Sequence, residues 1–112
     1  MIGVSLIFTL KGRQEEEKFF DLMNHALDHL RLLPGLEDLV AAKVWGKPFC
    51  YHLFSTWKSE QDIAEWLNCP VYHEVFGKTG SSLIESLVSS RWQLMEGTRK
   101  IRTEEVQEYL GT

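Results

Sequence analysis

The sequence predicts an α+β fold: a four-stranded antiparallel sheet with two helices on one face, connected β-α-β-β-α-β in the ferredoxin-like manner. Three observations carry the prediction. Strict apolar alternation marks the opening segment as a strand, and apolar steps of three and four residues mark a helix directly after it. Two short β-rich runs then flank Gly46-Lys47-Pro48, followed by a second helical pattern and a last alternating run.

In "IGVSLIFTL", Ile2, Val4, Leu6, Phe8 and Leu10 fall on one face, with Ser5 and Thr9 on the other. In "GRQEEEKFFDLMNHALDHLRLLPG", Phe19, Leu22, Met23, Ala26, Leu27, Leu30 and Leu33 form one helical stripe. Glu15, Glu16 and Glu17 suit the first turns through the helix dipole, and Pro34-Gly35 closes the helix. "LEDLVAAKVW" and "PFCYHLFSTW" read as paired strands. The second is apolar on both faces, as a central strand is. If Tyr51 and Leu53 point away from the helices, that face needs cover, and a second copy of the sheet supplies it. "SEQDIAEWLN" reads as a helix capped by Ser59, with Asp62 three residues on and Ile63, Trp66 and Leu67 as its apolar stripe. Pro70 opens a short helical segment, "PVYHEVF". "LIESLV" reads as a further helical turn or an irregular return, and "SRWQLMEGTRKI" as the last strand. Residues 1–102 thus form one domain, and 103–112 a C-terminal helical tail or arm.

At 112 residues the chain supports a single core without metal or disulfide staples. Its 44% hydrophobic and 12% aromatic content is that of a packed globular domain. A net charge of −4 with interleaved signs gives no footprint for nucleic acid. No apolar run approaches the ~20 residues that span a bilayer, and the first segment lacks the marks of a signal peptide. The expectation is a cytoplasmic protein with Cys50 and Cys69 as reduced thiols.

The pattern of a first helix closed by Pro34-Gly35, two strands, "TWKS" opening a second helix, then "EWLN" and a histidine, resembles the dimeric α/β-barrel superfamily of antibiotic biosynthesis monooxygenases. The resemblance covers roughly residues 2–100 and implies a homodimer joined through the sheet face. It also implies a small aromatic or planar ligand between sheet and helices, and oxygenation without cofactor. Within the superfamily, "TWKSEQDIAEWLNCPVYHEVFGK" looks most like the haem-degrading monooxygenases, with Trp57, Trp66, Leu67 and Asn68 at matching positions. Counting on from Trp66, the position of that family's iron-ligating histidine holds Phe76, with His73 one helical turn earlier; Ser5 holds the place of the first-strand asparagine.

The candidate site is therefore His73 and His52 as catalytic groups, with Trp66, Phe76, Ser5, Leu67 and Trp92 as ligand-binding groups. Histidine titrates near neutrality and can serve as proton shuttle or ligand. Trp66 suits a pocket wall and core packing alike. The alternatives are a haem-binding protein using His73, and a non-catalytic ligand-binding or stress-related dimer. His25 and His29 have metal-ligand spacing but no third ligand, so no metal site is expected. Cys50 and His52 are strand neighbours about 7 Å apart, too far for direct activation. "GKTGSS" lacks the residue order of a phosphate loop.

Overall fold

In the computed structural model, which describes residues 1–95, eight elements follow one another. They are β1 (Ile2–Leu10), α1 (Arg13–Leu30), β2 (Leu36–Lys43), β3 (Cys50–Trp57), α2 (Glu60–Leu67), α3 (Pro70–Phe76), α4 (Lys78–Ser81) and β4 (Ile84–Gln93). The strands form one antiparallel sheet in the order β2-β3-β1-β4. The α+β ferredoxin-like expectation is borne out, with β3 central as its two apolar faces require.

The helices cover the sheet face that carries Leu6, Phe8, Leu10, Leu53 and Trp57, and their buried sides supply Phe19, Leu30, Ile63 and Val75. Two sequence expectations change here. Tyr51 and Leu53 pair across from Phe8 and Leu6, so they lie under the helices and not on the open face. The open face carries Ile7, Val40, Phe54, Val88 and Trp92 instead. A strand apolar on both sides does not announce its parity; pairing with β1 sets it. The last strand also begins at Ile84, six residues before Ser90, so "LIESLV" is strand from Ile84 on, with a register shift opposite Thr9 and Leu10. The tail from Thr103 lies outside the described residues.

Local chemistry explains the joints. Ser59 caps α2, its hydroxyl accepting from the Asp62 N–H at 3.3 Å and donating to the Asp62 carboxylate at 2.6 Å. Pro70 occupies the first turn of α3, where its missing N–H costs nothing. The Cys69 sulfur receives the Tyr72 N–H at 3.4 Å. Between α3 and β4 the chain folds so tightly that a Cβ on Gly80 would sit on the Val75 carbonyl oxygen. Backbone cannot yield as a side chain does, so Gly80→Ala is expected to destabilise the fold by about 3 kcal/mol. A urea melt reads this directly, and a loss below about 1 kcal/mol contradicts the packing.

One polar bond ties α1 to the sheet: the Tyr51 hydroxyl donates to Glu16 Oε1 at 2.9 Å. Burial, then the hydrogen bond and charge of Glu16, push the Tyr51 phenol up to about 12. An unfolded tyrosine ionises near 10. The stabilisation is therefore complete below pH ~10 and lost as the pH rises from there through about 12. Between about pH 9 and about pH 11.5 the urea midpoint of the native chain should fall more than that of Tyr51→Phe. Equal falls would contradict this link.

Candidate functional site

The space between the sheet and the pair α2 and α3 is not filled. Leu6, Leu53 and Trp57 form its floor, Trp66 and Leu67 of α2 and Tyr72 of α3 its wall, and Arg91 of β4 its edge. The cavity measures about 160 Å³ and opens on one side. A void of roughly 150 Å³ accepts one benzene-sized molecule, so this space takes a single aromatic ring, with more of the ligand at the mouth.

Helix phase aims the wall residues. Starting at Pro70, Tyr72, Val75 and Phe76 fall at i, i+3 and i+4, and Val75 is fully buried. That phase turns Tyr72 inward, its ring edge-on to the Trp66 indole at 5.4 Å and tilted against Phe76 at 5.1 Å. Trp66 is only 5% exposed, and behind it the His29 imidazole stacks at 6.0 Å. Burial pushes the Tyr72 phenol above its ordinary value, so at neutral pH it stays a hydrogen-bond donor. Its hydroxyl has no hydrogen-bond partner among the described residues.

Arg91 pairs across from Val4 on the helix-facing side of the sheet and lines the cavity from an exposed position at its rim. No carboxylate among the described residues pairs with it. Ser55 and Ser89 also line the cavity, the Ser55 hydroxyl accepting from the Trp57 indole N–H at 2.8 Å. Among the described residues, the chemistry on offer is an aromatic slot with one phenol donor and one cation that no carboxylate pairs.

The seven residues singled out from sequence divide across the sheet. Trp66 and Leu67 line the cavity. Phe76 is half-buried, packed between Tyr72 and Phe8, and contributes to the wall only through Tyr72. His73 is exposed on the outer side of α3, its ring against Tyr72 at 5.9 Å, and does not reach the cavity. Ser5, His52 and Trp92 stand on the opposite, open face. There the Ser5 hydroxyl and His52 Nε2 are hydrogen bonded at 2.6 Å, and Trp92 is 55% exposed. Sequence reasoning passed over Tyr72 and Arg91, although the i, i+3, i+4 spacing of Tyr72, Val75 and Phe76 was there to find the first.

A haem does not fit this cavity. Neither His73 nor His52 faces the cavity, and its volume is a fraction of a porphyrin's. His25 and His29 turn to separate partners, Glu74 at 3.8 Å and Trp66. Among the described residues no group of three potential ligands converges on a metal position.

The chain has the fold of the antibiotic biosynthesis monooxygenases, as its sequence pattern suggested. Among solved structures it is similar to an antibiotic biosynthesis monooxygenase with a TM-score of 0.77 at 8% identity, over 85% of this chain and 99% of that one. It is similar to SnoaB, a cofactor-independent oxygenase from Streptomyces nogalater, with a TM-score of 0.71 at 13% identity, over 88% and 97%. Rv0793 from Mycobacterium tuberculosis gives 0.74 at 15% identity, over 87% and 98%. Such identities establish shared fold and nothing finer. No protein-family model matches the sequence, and no curated protein matches it.

Proposed function

We propose that the protein is a cofactor-independent monooxygenase of the antibiotic-biosynthesis type, acting on an electron-rich hydroxyarene held against Trp66. The observation that carries the reading is the cavity itself: an apolar slot whose Tyr72 hydroxyl and Arg91 guanidinium have no partners among the described residues. Unpartnered polar groups converging on an apolar cavity are what a ligand site requires. The shared fold with a cofactor-independent oxygenase supports the choice of reaction.

The substrate ring stacks on Trp66, a contact that contributes about 0.5–1.5 kcal/mol beyond area burial. Its hydroxyl ionises against Arg91, which lowers the hydroxyl's pKa by charge proximity. The electron-rich anion reduces O₂. One oxygen atom is inserted at the ring carbon para to the hydroxyl, which becomes a quinone carbonyl, and the other leaves as water with that carbon's hydrogen and the proton the hydroxyl gave up. Tyr72, held protonated by burial, donates to the oxygen-derived anion as it forms. The protein's part is positioning, one cation and one donor.

The same reading has the protein act as a homodimer through its open sheet face. Ile7, Val40, Phe54, Val88 and Trp92 make an apolar surface there, and Asp38, near one end, is the one formal charge among the described residues whose pairing places them on that face. A nearly neutral, self-complementary surface suits a two-fold contact. Sedimentation should give twice 13.0 kDa, with Val88→Glu shifting it to monomer. A native chain that sediments as a monomer removes the dimer. Oxygen uptake with a panel of polycyclic phenols tests the activity, and a panel with no uptake by the native protein overturns it.

A further inference from the structure

A second concavity lies on the far side of α1 from the Trp66 cavity and shares only Leu53 with it. It measures about 270 Å³ and opens between α1 and the edge strand β2. It exists because β2 supplies Ala41 where the facing helix supplies Phe19, Phe20 and Met23. Small residues on one wall and aromatics on the other leave a slot that neither element fills. Phe20 stays 41% exposed along the slot, its ring edge-on to Tyr51 at 5.4 Å.

The polar groups of this slot are asymmetric. Of the lining groups, the Tyr51 hydroxyl is engaged by the neighbouring Glu16 carboxylate and His52 Nε2 by the Ser5 hydroxyl. Lys43 of β2 and Asn24 of α1 line the slot from opposite walls, neither with a hydrogen-bond or ion-pair partner among the described residues. Lys43 sits beside Tyr51 in the strand register, so its cation borders the aromatic wall. An apolar body would cover Phe20 and Tyr51, and an anion would complete Lys43 and Asn24 while avoiding Glu16. A cation would meet the Lys43 ammonium, and the nearby Glu16 Oε1 already accepts a hydrogen bond.

The geometry points to a second binding site in this slot, for a small molecule with a flat apolar body and a single carboxylate. It is independent of the oxygenase reading, because Trp66, Tyr72 and Arg91 do not line it.

The probe is naphthalene-2-carboxylate, compared with the uncharged 2-naphthylmethanol, titrated into isotopically labelled native protein and followed by amide chemical shifts. The expected shifts cluster on Phe20, Asn24, Ala41, Lys43 and Tyr51. The carboxylate should bind about threefold tighter than the alcohol at low salt, the discrimination an exposed lysine provides. Lys43→Gln is a surface change that leaves the fold intact; it should make the two probes equal, as should high salt. Shifts centred on Trp66 or on the open face, or no shifts at all, overturn the site. Clustered shifts with equal affinities in the native protein overturn its assignment to carboxylates.

Discussion

Arg91→Gln is expected to lower kcat/KM for oxygenation of a hydroxyarene about 100-fold, the loss that follows removal of one charge-stabilising group from a reacting site. The glutamine keeps the length and a hydrogen-bond donor but removes the cation. Without that cation the substrate hydroxyl returns to its solution pKa, so the acid limb of the pH profile should move to higher pH. Arg91→Lys keeps the charge and should recover part of the rate. Stability should not change, because the guanidinium pairs with no carboxylate among the described residues. A variant that keeps full activity and an unmoved pH profile would remove Arg91 from the reaction.

Trp57→Ala should be among the most damaging changes to the fold, by about 3–5 kcal/mol. The indole is 1% exposed, pairs across β1 and β2 to Ile2 and Leu36, and donates to Ser55 at 2.8 Å. Its removal empties a large volume where α2 meets the sheet and leaves the buried Ser55 hydroxyl without its donor. A domain of this size has about 5–15 kcal/mol in hand, so the loss is a large share. The urea midpoint reads it, and a decrease of less than about 1 kcal/mol would show that the site collapses around the gap.

These residues also show what the sequence could carry. The amphipathic stripe of α1 and the alternation of β1 were plain because each buries a continuous apolar face. Ser59 and Pro70 were plain because helix starts depend on single side chains. β4 was misplaced by six residues because it is an edge strand, exposed over most of its length. Ser86, Ser89 and Ser90 interrupt any apolar period, and the tryptophan near its end drew the assignment.

The site was legible in half. Trp66 and Leu67 lie on the stripe that faces the sheet, so position and role coincide. His73 drew attention through its chemistry, but one residue on a helix is a turn of about 100°. Anchored by Pro70 and the buried Val75, α3 shows the cavity Tyr72 and shows solvent His73. The same parity separates Arg91 from Trp92 on β4, and Ser55 from His52 on β3. Residue type identified an aromatic slot; only the register decided which polar groups stand beside it.

The most direct test is isotopic. With a hydroxyarene that the protein turns over, the reaction is run under ¹⁸O₂ in ordinary water. The account predicts one labelled oxygen atom in the carbonyl of the product, and label uptake that slows in Arg91→Gln. An unlabelled product, with hydrogen peroxide released in equal amount, would contradict it.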